Sequence, residues 1–244
     1  MKRCILLIGW VFLCRILVAQ DSVVIKGYVT DYNGNPLDSV SLFWQHADFS
    51  TVREVIADQN GYYSAVIPRG KYQSMGAINM STYPHTADPA LSEQEQRLEF
   101  WAWNFIADRD TTLNIKYHRM EAYGINIFQI PGATPSYMIY VRPMSLTRYQ
   151  QWIKNKTPDS ILAPSPEYLG VEVTFDDEPV KVLMKQEIKE YFEEKEWGNA
   201  YLLTVDLPKN KHGRPYKVVK VKLTDGENGD MGEALYYLEK QKYF

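Results

Sequence analysis

Cysteine is nearly absent. The 244-residue chain has two, Cys4 and Cys14, and both fall inside its one long apolar run, Cys4 to Val18, which only Arg15 interrupts. Lys2 and Arg3 precede the run. It is too short for a comfortable membrane span, and a positive start followed by an apolar stretch is the layout of a secretory signal. Cleavage is expected after Ala19, with Leu17 and Ala19 at the −3 and −1 positions, so that 1–19 is a signal peptide and the exported chain begins at Gln20. Lipid attachment at Cys14 is not expected, because Phe12 and Leu13 precede it where a small residue is required. Loss of the segment removes both cysteines, which excludes disulfides, thiolate metal sites and a cysteine nucleophile. Such a protein must be held by core burial, and its length suits one large or two small domains.

Positive charge is also scarce. Lys and Arg number 27 against 30 Asp and Glu, a formal net charge of −3, and losing Lys2, Arg3 and Arg15 makes it more negative. Nucleic acid and anionic membrane surfaces are therefore not expected partners. The four histidines, His46, His85, His118 and His212, are scattered, and none has an acidic residue at metalloprotease spacing. No Gly-x-Ser-x-Gly elbow, phosphate-binding loop or dinucleotide fingerprint occurs. The expectation is a protein that is not an enzyme and has no cofactor and no metal.

Aromatics, by contrast, are plentiful, with 18 Tyr among 14% aromatic residues. Flat rings suit pleated sheets. From Asp21 to Tyr72 short β-type runs alternate with turn clusters. Val23 to Val29 ends at Asp31–Pro36 ("DYNGNP"), and Val40, Leu42 and Trp44 alternate with Ser39, Ser41 and Gln45. "TVREVIA" gives way to the turn "DQNG" (Asp58–Gly61), and "YYSAVIP" stops at Pro68. Strands at this spacing point to a sandwich rather than a parallel α/β sheet.

"VIKGYVTDYNGNPLDSVSL" followed by "ADQNGYYSAVIPRGKY" resembles the carboxypeptidase regulatory-like domain, a transthyretin-like β-sandwich. Gly27, Asp31 to Pro36, Val40, Asp58, Gly61, Tyr63, Pro68, Gly70 and Tyr72 carry the likeness. It covers about a fifth of the chain and implies only the accessory domain of carboxypeptidases. The polar stretch Ser81–Arg97 reads as an inserted loop, with one helical turn at Ser92–Arg97. "LEFWAWNFIA" and "TTLNIKY" complete the first sandwich.

From Met120 the pattern restarts. "YGINIFQI" and "YMIYVRP" read as paired strands. Leu146, Tyr149, Trp152 and Ile153 have helical spacing, with Ser145 as N-cap. "YLGVEVTFDDEPVKVLM", "AYLLTVDLP", "YKVVKVKLTD" and "GEALYYLE" follow as strands, with Lys185–Trp197 open to either a helix or an edge strand. The pieces around "TFDDEPVKV" and "KVKLTDGENGDMGEALYYL" resemble immunoglobulin-like or E-set modules. The expected architecture is all-β, with two tandem β-sandwiches at 20–118 (transthyretin-like) and 119–244 (immunoglobulin-like) and a short helix in the second. No flexible linker separates them.

Few residues suggest binding chemistry. Trp101 and Trp103 are two apart, so on a strand they share a face. They could form a stacking platform for sugar rings or simply pack in the core. Tyr62, Tyr63, Tyr83 and Trp197 could add aromatic surface. Asp225, Glu227, Asn228, Asp230 and Glu233 could ligate calcium but lack the twelve-residue loop pattern, so the segment reads as a solvated hairpin turn, and Asp176–Glu178 as another. Arg142 and Arg148 flank the helix start, where an anion site is conceivable. Asp21, Asp38, Asp110 and Asp159 each precede a Ser or Thr in a pattern resembling an O-glycosylation acceptor of some Gram-negative bacteria.

The resemblance implies a non-catalytic docking module of a Gram-negative envelope, periplasmic or cell-surface associated, with an envelope protein as partner. A carbohydrate-binding protein of a bacterial glycan-uptake system, with a cell-surface glycan as partner, is the other reading.

Overall fold

The computed structural model describes residues 21–132, 135–155, 162–193, 196–210 and 213–240, with 192, 193, 196 and 197 described by backbone alone. The expected signal peptide, both cysteines, Asp159, His212 and the Trp197 side chain lie outside the described residues. Strands dominate. They are β1 (Ser22–Thr30), β2 (Ser41–Gln45), β3 (Thr51–Ile56), β4 (Tyr62–Pro68), β5 (Gly70–Lys71), β6 (Ser74–Ile78), β7 (Phe100–Trp103), β8 (Ile106–Ala107), β9 (Thr111–Thr112), β10 (Ile115–Lys116), β11 (Met120–Phe128), β12 (Ser136–Ser145), β13 (Leu169–Phe175), β14 (Glu178–Val180), β15 (Val182–Glu193), β16 (Glu196–Asp206), β17 (Tyr216–Asp225) and β18 (Met231–Glu239). One helix, α1 (Leu146–Asn155), follows β12. Of the segment open to helix or strand, Lys185–Glu193 belongs to β15, which pairs with β16, and Glu196 and Trp197 begin β16, while 194 and 195 lie outside the described residues.

The first turns show why particular residues occur where they do. The Asp31 carboxylate accepts from the backbone N–H of Asn33 (2.8 Å) and Asn35 (2.9 Å), and Gly34 takes φ +85°. Asp58 accepts in the same way from Asn60 (2.8 Å) and Tyr62 (2.9 Å). These are side-chain-closed turns that free no backbone donor. Gly61 combines φ +71° with a close approach, since a Cβ there would stand 2.3 Å from the Val29 carbonyl oxygen. Ser92–Arg97 contains a turn closed by Glu95 N–H on the Ser92 carbonyl, not a helix.

Three main sheets result. One runs β10-β1-β4, with β9 also on β1; one runs β11-β12-β16-β15; the largest runs β14-β13-β17-β18-β7-β6-β2-β3 through both halves of the chain. The join is a parallel pairing of β18 with β7, Ala234 opposite Trp101 and Tyr236 opposite Trp103. Everything between β7 and β18 is therefore one long crossover. The chain leaves the first sandwich after β10, near residue 118, and returns to its sheet with the last strand.

The smaller sheets lie on opposite faces of the large one and overlap at β7 and β18. Side chains alternate across a strand, and here both faces are covered. Leu235 and Tyr237 enter the first core with Leu42, Trp44, Ile25 and Ile67. Ala234, Tyr236 and Leu238 enter the second with Ile127, Val141, Leu203 and Val221. The molecule is thus two β-sandwiches sharing a central sheet, two layers at each end and three in the middle.

Candidate functional site

The offset of the covering sheets leaves part of the central sheet bare on each face. On the side of the first sheet, β13 and β17 run out beyond the β9–β10 edge. Their uncovered face is polar. Lys220 and Lys222 alternate with Val219 and Val221 of the second core, and Lys222 bonds Glu172 across the strands at 2.7 Å. Where β9 and β10 overhang this face, a cleft of about 390 Å³ opens between the two halves. That volume suits a small ligand.

The cleft has an apolar floor and a polar rim. Val218, Leu235 and Tyr237 form the floor, and the 111–114 segment forms one wall. The opposite wall is the β13–β14 turn, where Asp176 (φ +49°) and Asp177 (φ +68°) make the two-residue reversal between Phe175 and Glu178. Both central φ values positive is the hairpin turn whose twist matches its strands. Asp176 is held rigidly: Oδ1 accepts from Arg214 Nη2 at 2.9 Å and from the Val218 N–H at 3.0 Å. Its side chain is 1% exposed, and the buried Oδ2 accepts no hydrogen bond among the described residues. Lys217 Nζ stands 4.0 Å from it. Arg214 lies over the Tyr216 ring at 5.8 Å, and Tyr216 donates to Asp108 at 2.9 Å. At the other end, burial pushes the Glu233 carboxyl above the usual carboxylate range, with Lys220, Lys116 and Lys222 opposing.

Asp176–Glu178 reads locally as an ordinary turn. The turn is real, but burial of Asp176 depends on Arg214 and β17, and no local signal announces that.

Trp101 and Trp103 share a face of β7, the one turned toward the second core. Trp103 is 7% exposed and belongs to that core. Trp101 is half-buried and stacks on it, with ring centroids 5.1 Å apart and 20° between planes. Tyr123 meets both rings edge-on, and Phe43 meets Trp101 at 5.8 Å. The indoles thus face one another and their neighbours instead of lying side by side as an open shelf. Tyr63 is buried and Tyr62 exposed on the first sheet, and Tyr83 is in the inserted loop, so these aromatics do not assemble with the tryptophans into one surface.

What Trp101 holds is more unusual. Its Nε1 donates to Glu121 at 2.8 Å and to Glu99 at 3.2 Å. Glu121 is 3% exposed. Burial, reinforced by the neighbouring Glu99, drives its carboxyl well above the ordinary carboxylate value, and burial raises Glu99 too. Two carboxyls in one low-dielectric site cannot both ionise cheaply.

The acidic segment 225–233 is the expected hairpin turn, between β17 and β18 and exposed from Gly226 to Gly229, but its flanking acids are not solvated. Asp225 and Asp230 are buried. Arg148 Nε bonds Asp225 at 2.6 Å and also reaches Glu227, while Asn228 bridges Asp225 and Ser145. Asp230 accepts from Arg119 Nε (3.2 Å), Ser145 Oγ (2.7 Å) and the Thr147 N–H (2.9 Å). Ser145 caps Arg148 as expected, at 3.3 Å. The start of α1, read as a conceivable anion site, is therefore filled by the chain's own carboxylate, which the helix dipole favours there. Arg142 forks onto Glu190, with Nε to Oε2 at 2.6 Å. Among the described residues no group of three or more His, Cys, Asp and Glu could hold a metal, and no helix is long and apolar enough to cross a membrane.

Fold and site together define a class: an all-β protein of two fused sandwiches with a polar cleft at their seam. No protein-family model matches the chain, and no curated protein matches it. Among solved structures, a DUF3823 family protein from Parabacteroides merdae is similar at 12% identity and a TM-score of 0.28, covering 90% of this chain and 99% of that one. BcpA, the major pilin subunit of Bacillus cereus, is similar at 12% identity and a TM-score of 0.27, covering 89% of this chain and 69% of that one. At those values nothing about ligand or partner passes from them to this chain.

Proposed function

We propose that this protein is an exported, non-catalytic binding module of the bacterial envelope, and that its ligand site is the cleft at the seam. The observation that carries the reading is the cleft itself, a cavity of ligand size with Thr112, Asp177 and Lys220 among its lining residues. Export rests on the N-terminal pattern, and assignment of the first half to the carboxypeptidase regulatory-like domain rests on the turns of Asp31 and Asp58. Assignment of the second half to an immunoglobulin-like module rests on its paired strands.

The test is native mass spectrometry of the chain starting at Gln20, mixed with the small-molecule fraction of envelope extracts. A bound mass on the natural protein that is lost on Thr112→Trp, which fills the cleft from its exposed wall, is the expected result. An adduct that survives Thr112→Trp would move the site elsewhere.

A second reading, docking to another envelope protein, draws on the outer face of the first sheet. Tyr28 and Tyr62 pack at 5.4 Å there, and both, with Val66, are exposed. Co-purification of one stoichiometric partner, abolished by Tyr28→Ser with Tyr62→Ser, would favour it.

A further inference from the structure

We propose that this protein pairs with a second copy of itself along β15, edge to edge and antiparallel, about a two-fold axis through Ile188. β15 has 12 residues, more than any other strand among the described residues, and β16 is its one neighbour in the sheet. Its other edge carries backbone donors and acceptors that no described strand covers, the template on which a further strand adds. Between the irregularities at Val182/Met184 and Tyr191/Glu193 the pairing with β16 is regular, and this stretch contains no proline. Lys185 Nζ bonds the Pro166 and Leu169 carbonyl oxygens at 2.5 and 2.6 Å, which ties that end of β15 to the central sheet. The pairing of β12 with β16 ends at Tyr201, opposite Glu187 of β15, so Ile188–Glu193 pairs with β16 beyond the four-stranded part of the sheet. Gln186, Glu187, Lys189 and Tyr191 are exposed.

Charge selects the partner and the register. Opposed residues of an antiparallel pair share a face, so a two-fold axis passes through a residue and not between two. Centred on Ile188, Glu187 of each copy lies opposite Lys189 of the other, and Gln186 lies opposite Glu190 on the other face. Centring on Lys185, Glu187, Lys189 or Glu190 sets a charge against its own copy, which is destabilising. Centring on Gln186 calls on Lys185, already committed to its two carbonyls. Met184 and Tyr191 end the regular stretch. Glu187 accepts from Asn199 through Oε1, which leaves Oε2 for a lysine, and Lys189 has no ion pair among the described residues. A lysine alone would guard this edge; with Glu187 two positions before it, the edge complements itself. Such an isologous contact closes as a dimer.

The test is sedimentation velocity of the chain starting at Gln20 over a range of concentrations. A dimer that dissociates on dilution is expected. Lys189→Glu turns both opposite-charge pairs into like-charge pairs and should weaken the dimer about tenfold. Glu187→Lys should do the same. The double variant carrying both substitutions restores the pairs with signs exchanged and should dimerise like the natural protein, with melting temperatures retained throughout. The chain from Gln20 has no cysteine, so Ile188→Cys probes the axis. Mild oxidation should cross-link that variant into a covalent dimer and leave Gln186→Cys uncoupled, because only a residue on the axis meets its own copy at disulfide distance. A monomer at every concentration would overturn the proposal and leave the edge to a strand of a different protein. A dimer indifferent to Lys189→Glu, or one weakened equally in the single and double charge variants, would overturn it as well.

Discussion

Asp230 sits at the centre of the clasp between hairpin and helix. It accepts from Arg119, Ser145 and the first turn of α1, and both Asp230 and Arg119 are almost fully buried. Asp230→Ala would strand the Arg119 guanidinium, and removing one member of a buried pair costs about 3–5 kcal/mol. Urea unfolding should show that loss as a lower midpoint, whereas Glu227→Ala, at the exposed end, should change little. The Glu99–Glu121 pair works in the opposite sense. Glu121 has a folded-state pKa raised well above the ordinary 4.5, so the native state binds more protons than the unfolded chain above that pH. Its contribution is complete below about pH 4.5 and is lost as pH rises through the folded value. The groups facing it are Glu99, Trp101 and, further off, Arg142. Glu121→Gln, which still accepts from Trp101, should flatten the decline and melt higher than the natural protein at pH 7. Equal destabilisation at pH 5 and pH 7 would refute the shared-proton account.

Individual strands show which parts of the sequence speak locally. β1, β2 and β4 are legible because short β-type runs are punctuated by Asp-x-x-Gly turns and because, in β2, Leu42 and Trp44 lie two apart between Ser41 and Gln45. Gly27 was part of a recognisable pattern, but its reason lies across the sheet: a Cβ there would stand 2.0 Å from the Leu113 carbonyl oxygen. Gly27→Ala must push the 113–114 segment off β1, at about 1–3 kcal/mol for overpacking, and should lower the melting temperature. β18 was legible as a strand but not as a shared one. Its run from Gly232 to Leu238 is buried throughout and has no exposed face, which is what two-sided burial demands. The Trp pair was equally undecided, since strand alternation gives the common face without saying what covers it.

At the scale of the molecule, the parallel β7–β18 pairing changes how the protein should unfold. Two tandem sandwiches joined by a linker would melt separately. Here one strand supplies Leu235 and Tyr237 to the first core and Ala234, Tyr236 and Leu238 to the second. Calorimetry should give a single transition. Leu235→Ala, costing about 2–5 kcal/mol as a large-to-small core change, should move that whole transition and not split off half of it. Two resolved transitions in the natural protein would show that the seam contributes little coupling.

The sequence by itself determined the all-β class, the turns at Asp31 and Asp58 and the helix after Ser145. Each is written in contacts a few residues long, in alternation, in side-chain-closed turns and in a cap. Tertiary structure decided the rest: the sharing of β18, the pairing of Glu121 with Glu99, and the burial of Asp230 and of Asp176 beside the cleft. Those features join residues from about 20 to more than 100 positions apart. Local propensity is silent at that range, because the partner of a strand edge or a buried charge is chosen by which faces remain to be covered once the sheets have formed.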